Sequence, residues 1–165
     1  MESILNIFKV PDLRKRFFYS LTVLIIYRLG SHVPISGVDI SALNDLFSQG
    51  GLLGFVDLFS GGALGRFSVF ALGILPYINA SIIMQMMAFV LPKLKELSEE
   101  GPSGQKQIAQ YTRYFTVILA FVQAVVMSVG FKSFIMPGVN FYFFLFYAVI
   151  GLVAGAVLVM WLGEI

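Results

Sequence analysis

The chain has no cysteine and a single histidine, His32, among its 165 residues. The first absence excludes disulfides, thiolate zinc sites, cysteine-ligated iron–sulfur clusters and a cysteine nucleophile, and the second excludes a metal site built from several imidazoles. Charge is scarce too: Asp, Glu, Lys and Arg make up 12% of the residues against 58% hydrophobic, whereas soluble domains carry about 25% charged residues. A chain so poor in charge belongs in a bilayer. What charge there is nearly cancels, at +2 net, so it leaves no electrostatic footprint for nucleic acid, and its basic residues read as topology instead. There is no Walker-type glycine loop and no pair of carboxylates within an apolar run, which removes two common signatures of nucleotide and ion chemistry. Neither a cofactor nor an enzymatic activity is expected.

Long uncharged runs are what the sequence has in abundance. Residues 1–16 are amphipathic, end in Arg14-Lys15-Arg16 and lack the small-residue cleavage site of a secretory leader, so they read as a retained cytosolic segment at the membrane surface. Residues 17–38, 67–91, 114–131 and 141–163 are each long enough for a spanning helix of about 17–25 residues. The expected fold is therefore all-α: a polytopic membrane protein with four transmembrane helices. Residues 92–113, charged and turning at Gly101-Pro102-Ser103-Gly104, read as a solvated loop, and residues 132–140 as a short external one. With the N-terminus and the 92–113 loop in the cytosol, Lys9, Arg14, Lys15, Arg16, Lys93, Lys95, Lys106 and Arg113 lie inside, and only Arg28, Arg66 and Lys132 do not. That asymmetry sets the orientation.

Residues 39–66, the external connection between the first two spans, are unusual. Leu52, Leu53, Phe55, Val56, Leu58 and Phe59 form an apolar piece about half a span long, continued by Leu64 and bracketed by Gly50-Gly51 and Gly61-Gly62. Such a half-helix cannot cross a bilayer and can enter it only where protein or a water-filled cavity satisfies its frayed ends. In the second span Pro76 is expected to bend the helix, while Asn79, Ile82, Ile83 and Met86 recur at three- and four-residue spacing on one stripe and Ile74 and Ile78 on another. Arg28 either snorkels to the outer headgroups or makes a buried contact that fastens the first helix to its neighbours. Ser31 beside His32 is weak support for an intramembrane hydrolase. A secondary transporter with a broken-helix substrate site remains the alternative at this level.

Longer motifs narrow the field. Phe59-Ser60-Gly61-Gly62-Ala63-Leu64-Gly65-Arg66-Phe67, then Phe70-Ala71-Leu72-Gly73-Ile74-Leu75-Pro76-Tyr77-Ile78-Asn79-Ala80-Ser81-Ile82-Ile83-Met84-Gln85, closely resembles the plug and second helix of the SecY family. In order around it stand Tyr27-Arg28-Leu29-Gly30, Pro34-Ile35-Ser36-Gly37-Val38-Asp39, Glu100-Gly101, Gln110-Tyr111-Thr112-Arg113-Tyr114 and Trp161-Leu162-Gly163-Glu164. The resemblance implies the N-terminal part of a ten-helix protein-conducting channel made of two inverted halves. It implies that residues 52–64 form a re-entrant plug hinged at Gly50, Gly51, Gly61 and Gly62. Ile74 and Ile78 match the pore ring, and Asn79, Ile82, Ile83 and Met86 the lateral gate. It further implies a bacterial cytoplasmic membrane, the small membrane subunits SecE and SecG as partners, and a SecA motor or a ribosome as driver. Signal sequences and nascent polypeptides would be the cargo, lipid would lie at the gate, and this segment would bind no nucleic acid. Ser36 departs from the proline usual in the family, which should loosen that turn.

Overall fold

The computed structural model describes residues 11–48 and 51–164, apart from the side chains of Leu52, Leu53 and Phe59. Gly50 and the first ten residues of the expected amphipathic segment lie outside the described residues. Seven α-helices, one 3-10 turn and no strand are present among the described residues: α1 (Pro11–Gly30), α2 (Ile40–Ser48), α3 (Leu52–Phe59), α4 (Leu75–Val90), α5 (Pro92–Glu99), α6 (Pro102–Gly130), the 3-10 turn Lys132–Phe134 and α7 (Phe141–Glu164).

The first helix starts earlier and stops earlier than the run of apolar residues suggests. Pro11, whose missing N–H costs nothing at a helix start, and Asp12 in the first turn favour initiation there. The helix then runs unbroken through the basic triplet. It ends at Gly30 because Pro34 restricts the residue before it and because the Phe70 ring occupies the place that a side chain on residue 30 would take.

Helix α2 falls in the stretch expected to be loop. Its start is capped by Asp39, whose Oδ1 accepts from the Ser41 amide (3.0 Å), the Ala42 amide (3.4 Å) and the Ser41 hydroxyl. The Ser41 hydroxyl first, then the Ala42 amide, hold the Asp39 carboxyl below the usual carboxylate range. Leu43 and Phe47, four residues apart, bury the inner face of α2.

The expected helix over residues 67–91 begins at Leu75 instead. Pro76 lies in its first turn, where it initiates the helix rather than bending it. Residues 60–74 form a chain of turns with Gly61, Gly62 and Gly73 at positive φ, and Phe67 joins them at φ 46°. This irregular backbone is tolerable at membrane depth because Ala63, Phe67, Ser68, Phe70, Ala71 and Leu72 are buried in protein. Its amides are also satisfied internally, for example Phe67 N to Leu64 O and Ala71 N to Ser68 O.

The charged stretch 92–113 is mostly helical rather than a loop. The chain turns through 102° between α4 and α5, and Gly101 (φ 78°) followed by Pro102 starts the long α6. Gly104 is required there, since a Cβ would fall 1.7 Å from the Leu97 carbonyl oxygen. Helix α6 carries a buried stripe of small residues, Thr112, Thr116, Ala120, Ala124 and Ser128, at intervals of four. Close helix approach in a bilayer calls for such residues. The stripe packs against α4, which buries Pro76, Ala80 and Met84, and α7, which buries Phe144, Ala148, Leu152, Ala156 and Met160. By length and composition α6 and α7 can each cross a bilayer, and α4 qualifies only jointly with α5. Helix α1 does not qualify alone, since Arg14, Lys15, Arg16 and Arg28 interrupt its apolar run.

Above the helix ends three loops are stitched together by backbone. Pro34 bridges to Ser68 and Val38 to Ile135, with Ile35 N donating to Phe67 O (3.0 Å), Asp39 N to Phe134 O (2.8 Å) and Met136 N to Gly37 O (3.0 Å). The Ser36-Gly37 turn is thereby held from outside itself. Beneath these bonds Phe67 meets Phe131 edge to face at 5.4 Å and lies 5.9 Å from Phe144, which centres the core on the loop side of the helices.

Candidate plug and pore-lining segment

Helix α3 is eight residues long and starts after Gly51, which takes a φ of 107° that side chains disfavour. Its far end does not fray. The Asp57 carboxylate accepts from the Gly65 amide at 2.7 Å and from the Ser60 hydroxyl, and the Ser60 oxygen in turn accepts from the Leu64 amide at 3.2 Å. Gly62 N donates to Asp57 O (2.9 Å) and Gly61 N to Leu58 O (3.1 Å). A Cβ on residue 65 would come within 2.9 Å of Asp57 Oδ2, so glycine lets the carboxylate close over the turn.

Helix α1 touches this turn through two side chains. Tyr27, stacked on Phe70 at 5.4 Å and 2° between planes, donates its hydroxyl to Ser60 O at 3.4 Å. Arg28 Nη1 donates to Gly61 O at 3.1 Å. Arg28 fastens α1 to this turn, but its side chain stays exposed, so the contact is not the buried one expected. Ser31 Oγ donates to Arg28 O (2.8 Å), and His32 Nδ1 lies 2.8 Å from the same carbonyl, which can only accept, so that nitrogen carries a proton. Ser31 Oγ also lies 3.4 Å from His32 Nδ1, and both groups are engaged by the Arg28 carbonyl at the end of α1.

A cavity of about 460 Å³ lies between α1, α3 and the start of α4, with Tyr27, Val56, Leu64, Leu72 and Ile74 on its wall. The structure thus brings two plug candidates, Val56 and Leu64, to the pore-ring candidate Ile74. Ile78, one turn along α4, does not line this cavity, but its amide donates to Ile74 O and it stands 41% exposed, like Ile74 at 44%. Phe55 and Leu58 point elsewhere, to a groove between α2 and α3.

Asn79, Ile82, Ile83 and Met86 are all exposed on α4, outside the face of Pro76, Ala80 and Met84 that it buries. The Asn79 side chain bonds to no other described residue, while Gln85 donates to Ser81 Oγ at 3.3 Å. No cluster of acidic and imidazole groups among the described residues could hold a metal. Sequence reasoning passed over Asp57, Ser60 and Tyr27. The Asp57/Ser60 spacing of three, just before a glycine pair, was the available signal, since such residues bond the backbone at helix ends.

The chain is 46% identical over 166 residues to the protein translocase subunit SecY of Halalkalibacterium halodurans, covering 98% of this chain and 38% of that protein. It is 50% identical over 157 residues to the same subunit of Pseudomonas aeruginosa (94% and 36%), and 44% identical over 162 residues to that of Escherichia coli (93% and 36%). It therefore spans a little over a third of the length of these relatives. The SecY family model matches residues 68–165, from the buried turn segment to the end of α7, and with that match over more than half its length the chain belongs to the SecY family.

Proposed function

We propose that this segment forms part of the wall of a protein-conducting channel, through which secretory chains cross the membrane and from which membrane segments exit sideways into lipid. The observation that carries the reading is the short α3, closed on itself by Asp57 and lodged with Val56 and Leu64 against Ile74. A half-length helix that shares a cavity with Ile74, one turn before the exposed Ile78, makes a stopper over an apolar constriction, which can stop ions by dewetting. Residues 52–64 act as the plug, Ile74 and Ile78 as this segment's share of the ring, and Asn79, Ile82, Ile83 and Met86 as its share of the lateral gate. The protein works as a passive conduit, without catalysis of its own.

In this reading the chain crosses the bacterial cytoplasmic membrane four times, through α1, α4, α6 and α7, with a cytosolic N-terminus. SecE and SecG complete the complex, and a SecA motor or a ribosome drives transport. The transporter alternative lacks support: the relatives are translocase subunits, and the α4 face offers isoleucines where a substrate site would need charge or free carbonyls.

Photo-crosslinkers at Ile82 or Met86 in the full-length complex should capture a stalled signal sequence. Capture of lipid alone would remove the gate from this helix.

A further inference from the structure

We propose that Asp57 and Ser60 weld α3 and the glycine turn into one rigid body, residues 52–65, and that Tyr27 and Arg28 hold this body shut by gripping its two exposed carbonyls. The inference rests on the plug reading above. If Gly61 and Gly62 were free hinges, their neighbours would be loosely bonded. Instead the Gly61 and Gly62 amides are bonded back to α3, and the Gly65 amide is bonded to the Asp57 carboxylate. Their positive φ values of 68° and 78° shape the knot and leave the Ser60 and Gly61 carbonyls pointing outward to α1.

The pivots must then lie outside the knot. At one end is Gly51, at φ 107° with open space around it. At the other, one residue separates the last knotted position, Gly65, from Phe67, which is fully buried between Phe131 and Phe144 and cannot move with the plug. That residue is Arg66. Between these pivots only the Tyr27 hydroxyl and the Arg28 guanidinium join the knot to α1 by side-chain hydrogen bonds among the described residues. An entering chain therefore opens the seal by breaking these two bonds and the backbone bonds from Phe67 N to Leu64 O and from Ser68 N to Ala63 O, and leaves α3 and its Asp57 knot intact. Arg28 and Tyr27 are positioning residues: they touch the plug and no cargo.

The test uses the full-length complex with spin labels on cysteines introduced at Leu58 and Ile82, read as a distance distribution. The double variant Tyr27→Phe, Arg28→Met keeps the stack on Phe70 and removes both donors. Losing two hydrogen bonds should raise the displaced-plug population about tenfold and the resting ion leak with it. An unchanged distribution in the assembled complex would overturn the clasp. Hydrogen exchange at Gly62 and Gly65 should stay slow when a stalled chain holds the channel open, and rapid exchange there on opening would overturn the rigid body. Deletion of residues 52–65 separates the two ideas. A raised leak in the deletion with no effect of the double variant sinks the clasp alone, and no leak in the deletion sinks the plug itself.

Discussion

Arg113 Nε donates to Glu164 Oε2 at 2.6 Å, tying the middle of α6 to the last residue of α7. The arginine is half exposed and the glutamate mostly covered, so solvent screens part of the attraction and the pair should contribute about 1 kcal/mol. A double-mutant cycle with Arg113→Ala and Glu164→Ala, read by thermal unfolding of the full-length complex in detergent, should return a coupling of that size. It should shrink in high salt.

Gly155 is where α7 meets the turn segment. A Cβ there would fall 1.9 Å from the Val69 carbonyl oxygen, which belongs to backbone and cannot swing aside. Gly155→Ala should therefore destabilise the complex by about 1–3 kcal/mol. Gly130, where an added Cβ would meet nothing within 4 Å, supplies the control, and Gly130→Ala should stay within about 0.5 kcal/mol of wild type.

The isoleucine pair bears on the seal. Replacing Ile74 and Ile78 together with Asn puts two amides where a dry constriction is proposed. Resting conductance of the full-length complex in planar bilayers should rise, and weak signal sequences should pass more readily. Unchanged conductance and unchanged signal stringency would remove both residues from the ring.

Asp39 sets a pH dependence at the start of α2. Its carboxyl titrates below the ordinary aspartate value of about 3.9, so the cap is fully effective above that value and is lost as pH falls through the lower folded one. Hydrogen exchange at the Ser41 and Ala42 amides should accelerate across that acid window. Asp39→Asn, which keeps an acceptor but does not ionise, should abolish the pH dependence.

The helical class, the short α3 and the start of α7 were legible in the sequence because each rests on local chemistry: uncharged length, glycine brackets, and loop residues before Phe141. The start of α4 was not. Residues 67–74 are as apolar as a spanning helix, and composition cannot show that Phe67 is held at positive φ by Phe131 and Phe144, far along the chain. Helix α2 was hidden because residues 39–66 read as an external connection, although Asp39 is the cap that begins it. In the candidate site, the faces of α4 could be counted off by helical period, but the bonds from Tyr27, Arg28 and Asp57 depend on tertiary approach that spacing does not encode.

Phe67 also fixes an order of events during synthesis. Its left-handed backbone is unfavourable for a bulky residue and is offset by rings at Phe131 and Phe144 and by backbone bonds with the Ile35 amide and the Leu64 carbonyl. At about 5–20 residues per second, both rings leave the ribosome several seconds after Phe67 does. Over that interval the Ile35 amide and the Leu64 carbonyl are within reach but neither ring is, so the proposed plug gains its full seat once α7 has arrived.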